Sequence, residues 1–186
     1  MRPVRAFLSL LVLLGVHCGG EEEAPPPVTS ASATPESVSA ATRFAGSFKH
    51  VGGTAELEAR DKAIDDLVAE MSFMKRGVAR DKLREANPIA EKIVVSESQG
   101  TLTISMDERS YTAPLDETPV RVKGITGDML DLVVRAGPEL EQVFSAEGKG
   151  RTNKYALAGD RLTIQVRIHS ESLPRELSYA LTYERI

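Results

Sequence analysis

The chain is poor in the residues that most often carry disulfide bonds, metal binding and base stacking. Its 186 residues include one cysteine, three histidines and no tryptophan, and 5% of them are aromatic. One cysteine cannot form an internal disulfide framework. The histidines, His17, His50 and His169, have no cysteine or histidine at ligand spacing, so we expect no metal site. The few aromatic side chains argue against a stacking platform for nucleic-acid bases.

A basic surface and the common catalytic motifs are also missing. The net charge is -4 and no basic stretch is interleaved with aromatic residues, so no nucleic-acid partner is expected. No Gly-x-Ser-x-Gly nucleophile motif occurs. Gly148-Lys149-Gly150 has the composition of a phosphate loop, but no helix follows it, so we interpret it as a hairpin turn. We predict no enzymatic activity and no cofactor. The alternative of an envelope enzyme would need convergent ionisable groups in the domain interior.

The N-terminus has the pattern of a secretory signal. Arg2 and Arg5 precede an apolar stretch from Ala6 to Val16, which is the order of a signal peptide. As a helix this stretch would be about 17 Å long, against about 30 Å of membrane hydrocarbon, so a permanent transmembrane helix is the weaker interpretation. We therefore predict that residues 1–17 are a signal peptide.

Cys18, the only cysteine, stands at the end of this apolar stretch. The segment Leu13-Leu14-Gly15-Val16-His17-Cys18-Gly19 resembles the lipobox of bacterial lipoproteins, with His17 where the family has a small residue. The resemblance implies that Cys18 carries acyl chains that hold the protein on a membrane. Gly19 and Gly20 lack the aspartate of an inner-membrane retention signal, which implies the outer membrane of a Gram-negative cell envelope. The alternative is an ordinary signal peptide whose cleavage removes Cys18.

The segment that follows has little to bury. It contains Glu21-Glu22-Glu23, Pro25-Pro26-Pro27 and then a mixture of Ser, Thr and Ala. Such a composition cannot offset the entropy of ordering the chain. We predict a lipid anchor and disordered linker over residues 18–42, followed by one domain, residues 43–186, of the size expected for a single core. We expect this domain to be monomeric.

Helical periodicity is confined to the first third of the domain. After a short strand, Phe44–Val51, an apolar stripe of Ile64, Leu67, Val68 and Met71 predicts a helix that starts at Thr54 and ends at Gly77. A second helix is predicted from Val78 to Ala86, where Asn87-Pro88 stops it. We expect the apolar residues Met71, Phe73 and Met74 to hold the helices on the rest of the domain, or to line an entrance for a ligand.

The remainder of the domain shows alternating, β-branched segments separated by turn residues. The predicted strands are Ile93–Val95, Leu102–Met106, Ser110–Ala113, Pro119–Lys123, Met129–Arg135, Glu139–Ala146, Arg151–Leu157, Arg161–Ile168 and Leu177–Arg185. This spacing is typical of a barrel or sandwich. The predicted fold is mainly β, an antiparallel up-and-down β-barrel of about ten strands with a two-helix insertion after the first strand.

The order of elements resembles the fatty-acid-binding-protein branch of the calycins. Phe44-Ala45-Gly46-Ser47-Phe48-Lys49 is similar to that family's opening pattern, and Leu177–Arg185 is similar to its last strand, with Tyr183 at the closing tyrosine. The resemblance implies a small closed barrel that holds one apolar ligand beneath a two-helix lid. Many members clamp a carboxylate with two arginines and a tyrosine, but Leu181 stands where one arginine would be.

We therefore predict a small hydrophobic ligand that is neutral or weakly polar, with Tyr155 and Tyr183 as ligand-binding residues. The alternative is that these tyrosines fill the core and that the protein is a structural or protein-interaction module. For Arg121, Arg135 and Arg167 on the predicted strands, solvent exposure is the preferred interpretation, and a polar lumen is the other.

Overall fold

The computed structural model describes residues 33–186, so the predicted signal peptide, Cys18 and most of the linker lie outside the described residues. The helices are α1 (Pro35–Thr42), α2 (Gly53–Ala69) and α3 (Phe73–Ala86). The strands are β1 (Gly46–His50), β2 (Lys92–Ser98), β3 (Thr101–Met106), β4 (Arg109–Pro114), β5 (Val120–Lys123), β6 (Met129–Ala136), β7 (Leu140–Ala146), β8 (Lys149–Ala158), β9 (Arg161–Ser170) and β10 (Leu177–Arg185).

The ten strands form one antiparallel sheet that curls into a nearly closed barrel. Strands next to each other in the chain are paired, except β4 and β5, and β1 also pairs with β10. The seam of the barrel therefore lies between β4 and β5. The helix pair α2–α3 follows the first strand. The predicted fold is confirmed.

Period-two alternation places one face of each long strand inside. Leu162, Ile164 and Val166 of β9 are buried, and the residues between them are on the outer face. The outer-face arginines of β5, β6 and β9 pair with acids across the surface. These pairs are Arg121 with Asp131 at 2.9 Å, Arg135 with Glu117 at 2.8 Å and Arg167 with Glu176 at 2.6 Å. The three strand arginines thus point to solvent and not into the barrel.

Helix α1 differs from the predicted disordered linker, which ran to residue 42. Thr34 caps this helix, because its Oγ1 accepts a hydrogen bond from the N–H of Ser37 at 3.2 Å, and Pro35 follows at the first helical position. Ala41 is fully buried. A short Ser- and Ala-rich helix has little intrinsic stability, but packing against the barrel supplies the missing burial.

Helix α1 covers one end of the barrel. The Cβ of Ala33, just before the helix, lies at the β2–β3 turn, 3.1 Å from where a Cβ on Gly100 would stand. The guanidinium of Arg43, just after the helix, donates to the carbonyl of Gly137 in the β6–β7 turn at 2.6 Å. Both turns are at the same end of an up-and-down barrel. We call this the closed end.

The helix pair breaks earlier than predicted. Helix α2 ends at Ala69, and Gly77 lies inside α3. The guanidinium of Arg76 donates to the carbonyls of Ala69 at 2.8 Å and Met71 at 3.0 Å, so a residue of α3 satisfies the end of α2. The predicted cap at Thr54 is also wrong, because Gly52 occupies the N-cap position. The apolar stripe itself is present, since Ile64, Leu67 and Val68 are fully buried.

The start of α3 is apolar and exposed. Phe73 is 85% exposed, Met74 89% and Val78 60%. The prediction that Phe73 and Met74 hold the helices on the barrel is therefore wrong, whereas Met71 is half-buried against the core as predicted. Neither Phe73 nor Met74 lines the barrel cavity described below. The ion pair between Arg175 and Glu70, 2.7 Å apart, instead ties the end of α2 to the β9–β10 loop. None of the three described helices has both the length and the hydropathy of a membrane span.

Candidate functional site

The interior of the barrel contains a cavity of about 590 Å³ at the end opposite α1. Its mouth is formed by the C-terminal end of α3, the β3–β4, β5–β6 and β7–β8 turns, and the β9–β10 loop. We call this the open end. The volume lies within the range of pockets that hold small molecules.

Most of the cavity wall is apolar. Ile164, Val166 and Leu181 line it from β9 and β10. Tyr111 of β4 and Phe144 of β7 also line it and meet edge to face, with their ring centroids 5.0 Å apart. Leu181, at the position where the family resemblance implies an arginine, is 4% exposed. Such a wall favours an apolar occupant.

Of the two predicted ligand-binding tyrosines, Tyr183 lines the cavity and Tyr155, on the inward face of β8, does not. Both are buried, and burial raises the pKa of both phenols. The Tyr183 hydroxyl donates to the carbonyl of Ala90 at 3.0 Å, and the Tyr155 hydroxyl donates to Oε1 of Gln142 at 2.8 Å. Since both hydroxyls are used inside the protein, Tyr183 offers a ligand its ring. A ligand contact for either tyrosine stays a prediction.

Arg151 of β8 is a half-buried charged residue of the cavity wall. Its Nε donates to Oδ1 of Asn153 at 2.8 Å, and Nη1 donates to Oδ1 of Asn87 at 3.1 Å. Both acceptors are neutral amides. Within residues 33–186, no carboxylate lies within ion-pair distance of this guanidinium.

Asn87 connects this arginine to the helix pair. Its side-chain nitrogen Nδ2 donates to the carbonyl of Leu83 at 2.7 Å, and its own carbonyl accepts from Nη1 of Arg60 at 3.0 Å. The hydroxyl of Tyr179 is 3.5 Å from Oδ1 of Asn87. Burial raises the pKa of Tyr179, while the nearby guanidinium groups of Arg151 and Arg60 oppose the rise.

Gln142 of β7 extends the polar network into the barrel wall. Its Oε1 accepts hydrogen bonds from Nδ2 of Asn153 at 3.0 Å and from the hydroxyl of Tyr155. Its Nε2 is buried and has no partner among the described residues. Rotating the amide by half a turn would place Nε2 of Gln142 against Nδ2 of Asn153, two donors facing each other, so the observed orientation is the favourable one. An uncommitted donor therefore lies beside the Asn153–Arg151 pair.

Sequence reasoning missed Arg151, Asn153 and Gln142, although strand alternation held a signal for them. Gln142 lies between Leu140 and Phe144 on the inward face of β7, and Arg151 and Asn153 precede Tyr155 on the inward face of β8. Polar residues at inward positions of otherwise apolar strands indicate a polar site in the interior. Asn87 was predicted only as a helix stop.

Two acids at the mouth, Asp128 and Asp107, are satisfied locally. Asp128 pairs with Lys149 at 2.5 Å, and this hydrogen bond and charge hold the pKa of Asp128 below its usual value. The carboxylate of Asp107 accepts from the backbone N–H groups of Glu91 and Lys92. These two acids are thus engaged away from Arg151.

The Gly148-Lys149-Gly150 segment forms the β7–β8 hairpin at the mouth, in agreement with the predicted turn. Gly148 has φ +66°, which favours glycine. At Gly150, a Cβ would stand 2.3 Å from Cε1 of His169, so the imidazole lies where a side chain would be. In residues 33–186, no group of three or more His, Cys, Asp or Glu side chains is placed to hold a metal ion.

No protein-family model and no curated protein matches the chain. Solved structures do match it in fold. A secretary abundant heat soluble (SAHS) protein from Ramazzottius varieornatus matches with a TM-score of 0.50 at 9% identity, over 78% of this chain and 96% of that one. Because the identity is low, this likeness concerns the arrangement of strands and helices.

Two further structures match less closely. Fatty-acid-binding protein 1 from Echinococcus granulosus has a TM-score of 0.47 and 11% identity, over 77% of this chain and 97% of that one. Zebrafish ileal bile acid-binding protein complexed with cholic acid has a TM-score of 0.46 and 9% identity, over 78% and 100%.

Proposed function

We propose that the domain binds a small hydrophobic molecule inside the barrel. The observation that carries the proposal is the cavity of about 590 Å³. It is lined mostly by apolar side chains, and its mouth is at the open end, beside the C-terminal end of α3. Removing an apolar molecule from water into such a space contributes about 25 cal/mol per Å² of buried surface. The polar groups of the wall would orient the bound molecule and would not catalyse a reaction. We therefore propose a binding protein and not an enzyme.

The alternative function, a structural or interaction module with a filled core, predicts interdigitated side chains throughout the barrel. The closed end has this packing, and the open end does not. The cavity therefore favours the binding function.

Filling the cavity provides the test. Ile164→Trp places a large side chain in the lumen, while Thr163→Trp places the same side chain on the outer face of the adjacent position. Native mass spectrometry of the full-length protein from its own membrane should show a bound hydrophobic molecule in the unmodified chain and in Thr163→Trp, but not in Ile164→Trp. Repeated absence of any bound molecule from the unmodified chain, together with no binding of added octadecanoate, would contradict the proposal.

We further propose that the domain works at the cell envelope, anchored by acyl chains on Cys18. The signal-like residues before this cysteine and the Pro- and Glu-rich segment after it support this proposal. Two or three acyl chains bury enough methylene groups for stable anchoring, at about 0.8 kcal/mol each. Gly19 and Gly20 support an outer-membrane destination.

Replacing the cysteine tests the anchor separately from the cavity. In a Gram-negative host, Cys18→Ser should abolish incorporation of labelled palmitate and move the protein from the membrane fraction to a soluble or unprocessed form. A serine substitution in the linker, such as Ala31→Ser, is the control and should leave fractionation unchanged. Membrane fractionation that is the same with and without Cys18 would count against the anchor.

A further inference from the structure

Helix α3 has no buried residue, in contrast to α2. Helix α2 packs on β10 and buries Ile64, Leu67 and Val68. In α3, Ala79 and Leu83 contact the core, and both are half-buried. Apolar burial therefore holds α2 on the barrel and contributes much less to the position of α3.

Ion pairs hold the middle of α3 on α2. Nε of Arg80 donates to Oδ1 of Asp65 at 2.6 Å, and the guanidinium of Arg84 lies 3.5 Å from both Asp61 and Asp65. Nε of Arg84 is buried and has no hydrogen-bond partner within residues 33–186. The four side chains are between 31% and 45% exposed, so water and dissolved ions reach these pairs. Ion pairs with this exposure contribute little each and weaken as salt is added.

The two ends of α3 are tied by hydrogen bonds to neutral groups. The guanidinium of Arg76 donates to the carbonyl of Ala69, the last residue of α2. At the other end, the carbonyl of Asn87 accepts from Arg60, and its side-chain oxygen accepts from Arg151. Because these acceptors carry no net charge, salt weakens the bonds at the ends less than the ion pairs in the middle. Helix α3 is thus a strap, fixed at its ends and held along its length by charge.

The strap also forms part of the cavity wall. Leu83 and Ala86 of α3, with Asn87 directly after the helix, line the cavity at its mouth. This part of the wall must move when α3 moves away from α2.

We infer that the contact between α3 and α2 is controlled by ionic strength. At low salt, the pairs of Arg80 and Arg84 with Asp61 and Asp65 keep the cavity covered, and their screening lifts α3 while α2 stays on the barrel. The Debye length falls from about 30 Å at 0.01 M salt to about 3 Å at 1 M, which gives the range over which the change is expected. The inference goes beyond the proposed function, because it concerns access to the cavity and holds whatever the ligand is.

Hydrogen exchange of the full-length chain tests whether the two helices separate. Between 0.01 M and 1 M sodium chloride, amide exchange at Ala79 and Leu83 should become at least about fivefold faster, because the ion pairs are screened. Exchange at Leu67 and Val68 of α2 should change less than about twofold. An equal response of both helices would show that they open as one unit and would overturn the inference.

Neighbouring aspartates of α2 provide matched variants. Asp65→Asn removes the carboxylate that Arg80 and Arg84 share, so α3 should exchange fast already at 0.01 M salt and respond to added salt less than about twofold. Asp66→Asn removes an exposed carboxylate that pairs with Lys62 of the same helix at 2.6 Å, and α3 should then behave as in the unmodified chain. Arg80→Gln breaks the contact from the side of α3 and covers the case in which Asp65→Asn fails to fold. Unchanged exchange of α3 in a folded Asp65→Asn or Arg80→Gln chain would overturn the inference.

Access to the cavity can be measured with a single thiol and no ligand. In the full-length Cys18→Ser chain, Leu181→Cys places a thiol in the cavity wall, and Val68→Cys places one on the buried face of α2, outside the cavity. N-ethylmaleimide is uncharged, so charged groups do not steer its approach. It should label Leu181→Cys at least about threefold faster at 1 M than at 0.01 M sodium chloride, and Val68→Cys at an unchanged rate. Labelling of Leu181→Cys that is independent of salt would show that α3 does not cover the cavity. That result would overturn the inference and leave the proposed function standing.

Discussion

At the closed end of the barrel arginines stack on aromatic rings, whereas at the open end an arginine borders a cavity. The guanidinium of Arg43 lies 4.8 Å from the ring centroid of Phe44, and that of Arg185 lies 4.7 Å from Phe48. Arg185 also donates to the carbonyl of Ala45 at 2.6 Å. Arg151 has amide partners instead. The same residue type thus covers a packed core at one end and borders a cavity at the other.

The two ends of the barrel differ in how closely their side chains are packed. Apolar packing around Phe44, Phe48 and Ala41 makes the closed end the stable base. The open end contains the polar network and the space that packing would otherwise fill. Substitutions at the two ends should therefore change stability by different amounts. Four experiments test this difference.

The largest effect is expected at the closed end. Phe48→Ala should lower the free energy of unfolding by about 3–5 kcal/mol, because the removed ring is fully buried and leaves a cavity. Phe73→Ala, which removes the same side chain from an 85% exposed site, should change it by less than about 0.5 kcal/mol. Urea titration of both variants measures the difference. Similar losses for the two would remove the basis of the contrast.

The next effect is expected at alkaline pH, from the tyrosines around the polar network. Burial raises the pKa values of Tyr155, Tyr179 and Tyr183, so the folded state keeps these phenols neutral where the unfolded chain ionises them. Stability is therefore unaffected below about pH 10 and falls as the pH rises above it. Denaturation followed from pH 8 to 12 should show this loss, with tyrosinate absorbance appearing together with unfolding. Ionisation of these three tyrosines in the folded protein near pH 10 would contradict their burial.

A smaller effect is expected from one hydrogen bond of the network. Tyr155→Phe removes the donor to Gln142 and should cost about 1 kcal/mol of stability. Tyr111→Phe is the matched control, since the Tyr111 hydroxyl has no side-chain hydrogen bond to a described residue, and it should cost less. Thermal unfolding of the two variants gives the comparison. An equal or reversed order would show that the network contributes nothing at Tyr155.

The smallest effect is expected on the outer face, which both ends share. Arg135→Gln breaks the exposed pair with Glu117 and should change stability by less than about 0.5 kcal/mol at physiological salt. The change should shrink further in 0.5 M salt, because the charges are screened. A loss of several kcal/mol in the free energy of unfolding, measured by urea titration, would mean that ion pairs on the outer surface contribute as much to stability as the core does.

Alternation made the strands predictable, because a half-buried strand has a period of two that survives in the sequence. Leu162, Ile164 and Val166 show this period without interruption. Helix α1 was not predictable in the same way, since its Ser and Ala residues gain their burial only from the finished barrel. The predicted position of the break between α2 and α3 was wrong, because the side chain of Arg76, and not a glycine, satisfies the carbonyl of Ala69 at the end of α2.

The cavity was foreseen only through the family resemblance, and its polar network was not foreseen. Arg151 and Asn87 are 64 residues apart in the chain, and their contact depends on how α3 ends over the barrel. Leu181 lines the cavity, and its correspondence to an arginine of the implied clamp stays a prediction. Alternation along β8 placed Arg151 on the inward face, but the sequence did not show that the lumen there is wide enough to leave it on a cavity wall.

Helix α1 also fixes the end of the barrel at which the described chain begins. The chain enters at Thr34, at the closed end, while the mouth opens among the turns at the other end. If the segment before Thr34 is fixed to a membrane, the entrance would face outward unless the linker let the barrel turn over. Exchange of cargo with the surrounding medium, or with a second carrier, would then need no detachment of the anchor.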